Sequence, residues 1–135
     1  MSFILDCSVT MAWCFEDERT AATDALLARV VDAGAIAPFL WPLEVTNVLL
    51  NAVRRKRIPP DSVNKVAQRI AALPVAIDTE GAALAWGNTL RLAERYALTS
   101  YDACYLELAQ RKALPLATLD AALRKAATAA GITLL

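Results

Sequence analysis

Phe3-Ile4-Leu5-Asp6-Cys7-Ser8 is the stretch on which the fold turns. Three apolar residues end at an acid, as a short buried strand does, and Ser8 is placed to cap a helix running to about Phe15. The same order of strand, acid and helix returns near the other end of the chain. There Leu116-Ala117-Thr118 reads as a strand and Asp120 opens a helix at Ala121-Ala122-Leu123. Between them, Thr20 to Val31 reads as a helix stopped by Gly34, and Ile36-Ala37-Pro38 as a second short strand. Val45, Val48, Leu49, Ala52 and Val53 form the apolar stripe of a helix after Trp41-Pro42. Asp61 to Leu73 is a helix, Val75-Ala76-Ile77 a strand, and Glu80 to Tyr96 and Ser100 to Lys112 are helices, the last capped by Thr99. Ile132-Thr133-Leu134 reads as a final strand.

Short apolar strands alternating with helices define a mainly parallel sheet covered on both faces. The expected fold is therefore a three-layer α/β/α sandwich, with residues 1–135 forming a single domain. With 57% hydrophobic but only 7% aromatic residues, the apolar content is aliphatic, which suits helices around a buried sheet. A mean hydropathy of +0.39 predicts an apolar patch that another subunit or partner covers. No uncharged stretch reaches the roughly 18 residues of a membrane helix, and the start lacks a signal-like region, so a cytoplasmic protein is expected.

Composition excludes several chemistries. The chain contains no histidine, which removes Ser-His-Asp and Cys-His nucleophile systems and histidine-bearing zinc sites. Cys7, Cys14 and Cys104 form no CxxC pair and read as packing thiols. There is no GxxxxGK[ST] or GxGxxG loop, and Asp6-Cys7-Ser8 lacks the second aspartate of a D-x-D phosphotransferase motif. Fourteen basic residues balance fourteen acidic ones, so any basic surface is local.

Carboxylates remain. Asp6, Glu44, Asp102 and Asp120 each have a plain local reading. Asp6 helps to cap the first helix, Glu44 sits favourably in a first turn, Asp102 completes a capping box with Thr99, and Asp120 is an N-cap. Capping does not explain why all four fall at strand ends or helix starts, which a parallel sheet brings to one edge. Ionised carboxylates gathered there repel one another unless a divalent cation lies between them, and oxygen-only ligands select a hard ion such as Mg²⁺ or Mn²⁺. Such a site suits hydrolysis of a phosphodiester, with one or two ions both compatible with four acids.

Ile4-Leu5-Asp6-Cys7-Ser8, Leu43-Glu44-Val45-Thr46-Asn47-Val48-Leu49, Leu98-Thr99-Ser100-Tyr101-Asp102-Ala103-Cys104-Tyr105-Leu106 and Leu116-Ala117-Thr118-Leu119-Asp120 stand in one order across nearly the whole chain. Together they resemble the PIN-domain family, in particular the toxin nucleases of VapBC-type toxin–antitoxin pairs. The resemblance implies an endoribonuclease using Mg²⁺ or Mn²⁺, with Asp6, Glu44 and Asp102 binding metal and Asp120 as a fourth, more variable acid. It implies supporting roles for Ser8, Asn47 and Thr118, an RNA substrate, a cognate antitoxin and a homodimer. Two other readings stand beside it: a PIN-like module that binds RNA or protein without cutting, and a housekeeping RNA or DNA nuclease on the same fold.

Arg54-Arg55-Lys56-Arg57 is the one basic run and a candidate for RNA phosphates, although cations at a helix C-terminus are also favoured by the helix dipole. Glu16-Asp17-Glu18 reads as a solvated turn. Trp13, Trp41 and Trp86 lie in apolar contexts that favour packing over base stacking.

Overall fold

The computed structural model describes residues 2–135. Its strands are β1 (Ile4–Leu5), β2 (Ala35–Ala37), β3 (Val75–Ile77) and β4 (Leu116–Ala117). They form one parallel sheet in the order β3-β2-β1-β4. The helices are α1 (Cys7–Cys14), α2 (Ala21–Ala33), α3 (Trp41–Arg54), α4 (Ser62–Ala71), α5 (Gly81–Leu84), α6 (Leu90–Tyr96), α7 (Ser100–Lys112) and α8 (Ala121–Ala129).

Side chains alternate across the strands and sort the core into two clusters. Phe3, Leu5, Ala35, Ala37 and Ala117 face one side with α1 to α4, whereas Ile4, Ile36 and Leu116 face the other with α6, α7 and α8. Strands β1, β2 and β4 are therefore covered on both faces and read as short continuous apolar runs, whereas β3 at the edge is partly exposed. Three layers follow, as expected.

Local departures have physical causes. Helix α1 begins one residue before Ser8, because the backbone of Asp6 takes the N-cap position directly out of β1, and Ser8 turns its hydroxyl elsewhere. The expected helix from Glu80 to Tyr96 is interrupted by a π turn at Ala85–Thr89, where Gly87 and Asn88 are poor helix formers. Trp86 on that turn is 88% exposed, so it does not pack in the core, unlike Trp41. The expected last strand reduces to one parallel bridge, Leu116 to Leu134, because β4 has only two residues to offer. Gly34 ends α2 with φ +77°, a conformation that L side chains rarely adopt. No helix among the described residues is long and apolar enough to cross a membrane.

Helix α7 sets the geometry of the site. Ala103 to Ala109 are buried without a break, so its polar residues there must find partners inside the protein. Arg111 supplies one set, bonding Glu107 at 2.9 Å, Asp78 at 2.8 Å and Glu80 at 3.1 Å. Hydrogen bonds from the Arg111 guanidinium hold the Asp78 carboxyl below the usual carboxylate range. Asp78 Oδ2 also accepts from Gly81 N at 2.8 Å, and a Cβ at Gly81 would lie 2.8 Å from that oxygen. This cluster clamps α7 to the ends of β3 and α5, fixing its rotation.

Candidate active site

A strand order of β3-β2-β1-β4 has its switch point between β1 and β4, since the chain winds outward from β1 in one direction before β4 is added on the other side. In open parallel sheets the crevice beyond the strand ends at such a point is where ligands bind. Asp6 follows β1 there, and Thr118 and Asp120 follow β4.

Asp6 is buried, and its side chain makes no cap bond to α1. Ser8 Oγ and Thr118 Oγ1 instead both donate to Asp6 Oδ2, at 2.6 and 2.7 Å. Each hydroxyl in turn accepts from an amide of the loop after β4. Leu119 N reaches Ser8 at 2.9 Å and Asp120 N reaches Thr118 at 3.1 Å. Because each hydroxyl has one proton, these amides commit both protons to Asp6. Burial pushes the Asp6 carboxyl up, and the two hydroxyls oppose that rise.

Glu44 lies in the first turn of α3, where Pro42 suits the helix start. Its Oε1 accepts from Tyr105 Oη on α7 at 2.5 Å, 61 residues away in sequence. Asp102, in the first turn of α7, donates its backbone N–H to Thr99 Oγ1 at 3.1 Å, but its carboxylate accepts no hydrogen bond among the described residues. Only half of the expected capping box forms, and the acid is left to the crevice. Asp120 does cap α8, its Oδ2 accepting from Leu123 N at 2.8 Å.

Two of the acids, Glu44 and Asp102, feel the charge of the others. Burial first, then Asp120 and Asp6, push the Asp102 carboxyl up to about 6. Burial raises Glu44 as well, opposed by Tyr105 and reinforced by Asp6 and Asp102. No lysine or arginine is among the groups that shift Asp6, Glu44 or Asp102. The crevice therefore gathers carboxylates that are not ion-paired by an arginine or lysine among the described residues, the nearby Arg124 guanidinium bonding the Thr118 carbonyl oxygen at 2.8 Å instead.

Among the described residues no three His, Cys, Asp or Glu side chains stand as a ready metal-ligand set. The acids are electrostatic neighbours, and their chemistry fits a hard divalent ion: all donors are oxygens, and their mutual repulsion is what such an ion relieves. Burial pushes the thiols of Cys14 and Cys104 up to about 11, and the Cys7 thiol further still, so none competes as a thiolate.

Of the supporting residues, Ser8 and Thr118 join the cluster directly. Asn47 does not bond the acids; it lines a groove of about 640 Å³ beside Glu44 with Leu40, Leu43, Leu50 and Tyr101. The basic run sits apart. Ten residues of helix rise separate Glu44 from Arg54, about 15 Å. Arg57 stacks on Phe15 at 3.9 Å and pairs with Asp17 and Glu18, so Glu16-Asp17-Glu18 is part of a surface ion cluster.

Two features were not assigned from sequence. In the sequence Arg111 is one of several cations scattered on helices and Asp78 an acid after a strand, with no local pattern to pair them. Tyr105 stood inside a quoted motif without a role, and its one signal was a polar tip three residues after Asp102, in a run that is otherwise apolar.

An open parallel α/β sheet with acids gathered at its switch point defines a class of ligand-binding and hydrolytic domains. Residues 3–129 match the PIN domain family, and the chain belongs to that family. PIN domains are a nuclease fold and are typically metal-dependent. The fold is similar to the crystal structure of PAE2754 from Pyrobaculum aerophilum, with a TM-score of 0.70 at 22% identity, covering 93% of this chain and 79% of that one. No curated protein matches the chain.

Proposed function

We propose that this PIN domain is an Mg²⁺- or Mn²⁺-dependent endoribonuclease and the toxin of a toxin–antitoxin pair. The observation that carries the nuclease reading is the gathering of acids at the switch point, where neighbouring carboxylates raise Glu44 and Asp102 and no protein cation is among the groups that shift Asp6, Glu44 and Asp102. Asp6, Glu44 and Asp102 would hold the ion, with Asp120 as a fourth acid. When bound, such an ion activates water and neutralises charge on a phosphodiester.

The chain's own residues prepare for this. Ser8 and Thr118 oppose the rise that burial imposes on the Asp6 carboxyl. Tyr105 does the same for Glu44. At Asp102 the cation competes with a proton near pH 6, so the site fills more readily above that pH. Asp120 holds one carboxylate oxygen at its helix cap and leaves the other for the crevice.

The toxin role rests on the sequence resemblance and on apolar surface beside the site. Leu43 is 74% exposed and Tyr101 66%, both on the groove next to Glu44. Such a surface suits an antitoxin segment or a second copy of the chain. The second reading, a PIN-like module that binds without cutting, draws on the absence of a ready ligand set among the described residues.

The deciding experiment is cleavage of transfer, ribosomal and messenger RNAs by the pure protein with Mg²⁺, Mn²⁺ or chelator, beside Asp102→Asn. Metal-dependent cutting that the variant loses is expected. No cutting by folded protein free of any antitoxin favours the binding module. Growth arrest on expression, relieved by a neighbouring gene, separates the toxin from a housekeeping RNA or DNA nuclease.

A further inference from the structure

We infer that Tyr105 is a positioning residue of the acid cluster, its hydroxyl fixing the Glu44 carboxylate in the orientation in which Glu44 takes a divalent cation. The inference rests on the nuclease reading above.

Tyr105 is fully buried, and its ring belongs to the cluster formed with α6 and α8. Glu44 stands on α3, whose apolar stripe packs on the opposite face of the sheet. The 2.5 Å bond from Tyr105 Oη to Glu44 Oε1 therefore links the two helical layers at the edge where the acids gather. It places a donor on one carboxylate oxygen, leaving Oε2 as the oxygen available to a cation. Asp6 is treated alike, since its two hydroxyl donors converge on Oδ2 alone.

The donor is held rigidly. Asp102 and Tyr105 are three residues apart on α7 and so share a face, which lets one helix deliver an acid and the donor that orients another acid. The Arg111 cluster fixes the rotation of that helix two turns beyond.

A buried phenol also needs an acceptor for stability alone, and that simpler role makes a different prediction. If the bond only satisfies the hydroxyl, Tyr105→Phe alters stability and leaves metal affinity unchanged. If it positions Glu44, metal affinity falls in a chain that remains folded. Residues that orient metal ligands in this way typically change affinity by about 10- to 100-fold.

The test is calorimetric titration of Mn²⁺ into the full chain at pH 7.5 for wild type, Tyr105→Phe, Glu44→Gln and the double variant, with melting curves in chelator. Tyr105→Phe should bind Mn²⁺ about tenfold more weakly or worse, while the double variant binds no more weakly than Glu44→Gln. Affinity within twofold of wild type, or a further full loss on the Glu44→Gln background, overturns the inference. Should Tyr105→Phe not fold, Glu44→Asp withdraws the carboxylate from the phenol while keeping its charge. Unchanged Mn²⁺ affinity there overturns the inference too. A wild-type chain that binds no Mn²⁺ overturns the metal-dependent nuclease reading along with it, whereas a wild type that binds beside an unaffected Tyr105→Phe overturns the Tyr105 role alone.

Discussion

Removing the charge of Asp102 should stabilise the protein when no divalent ion is present. Its carboxyl is raised from an ordinary 3.8 to about 6, by burial and then by Asp120 and Asp6. The unfolded chain therefore ionises Asp102 first as pH rises. Folded stability is lost progressively between pH 3.8 and about 6 and stays lost above that. At about 1.4 kcal/mol for each pH unit, the difference sets a ceiling of about 3 kcal/mol, which solvent screening at a half-open site reduces to about 1–2 kcal/mol. Asparagine forfeits about 0.5 kcal/mol of favourable interaction with the α7 dipole. It loses no hydrogen bond, since none among the described residues reaches the carboxylate. A net gain of about 1 kcal/mol should appear as a melting temperature roughly 3–5 °C higher for Asp102→Asn at pH 7.5 in chelator. The advantage should shrink toward pH 4. Saturating Mn²⁺ should reverse the order, because a ligand at 100 times its Kd stabilises the wild type by about 2.7 kcal/mol. Equal or lower stability of the variant in chelator at pH 7.5, or an advantage that does not change with pH, would refute the reasoning.

Thr118→Val keeps the shape of a fully buried side chain but removes the hydroxyl that joins Asp120 N to Asp6 Oδ2. Urea unfolding should report a loss of about 1–3 kcal/mol. Arg111→Met leaves Asp78 and Glu107 buried without their cation, so a loss of about 3–5 kcal/mol is expected in the same assay, and a loss below about 1 kcal/mol contradicts the clamp on α7. Alanine at Arg54, Arg55 and Lys56 together should leave the salt dependence of RNA binding unchanged, because the run stands about 15 Å from Glu44 along α3. A slope reduced by about one for each residue replaced would instead place them on RNA phosphates.

The electrostatics also explain why the local cap readings of the acids were reasonable and yet incomplete. Asp120 caps α8 as its neighbours suggest, and Thr99 caps α7. Asp6 and Asp102 occupy cap-like positions without their carboxylates making cap bonds. Position in sequence identified helix starts, whereas the use of each carboxylate depended on what the sheet brought beside it.

Taken alone, the chain's order of residues determined the α/β class and the parallel sheet, and it singled out four acids as candidates for the carboxyl edge of that sheet. Strand and helix periodicities are local, and a parallel sheet aligns strand ends by construction. It also pointed to Ser8 and Thr118, through a motif that carries them beside the acids. Tertiary structure decided which partners those residues met. The bond from Tyr105 to Glu44 spans 61 residues, that from Thr118 to Asp6 spans 112, and that from Arg111 to Asp78 spans 33. No local pattern encodes such pairings, because hydrogen bonds form by proximity in space and α7 is buried on all sides along its middle. The π turn that exposes Trp86 and the shortened last strand were likewise settled by packing. Each depends on how neighbouring elements share a surface, which is a property of the assembled layers.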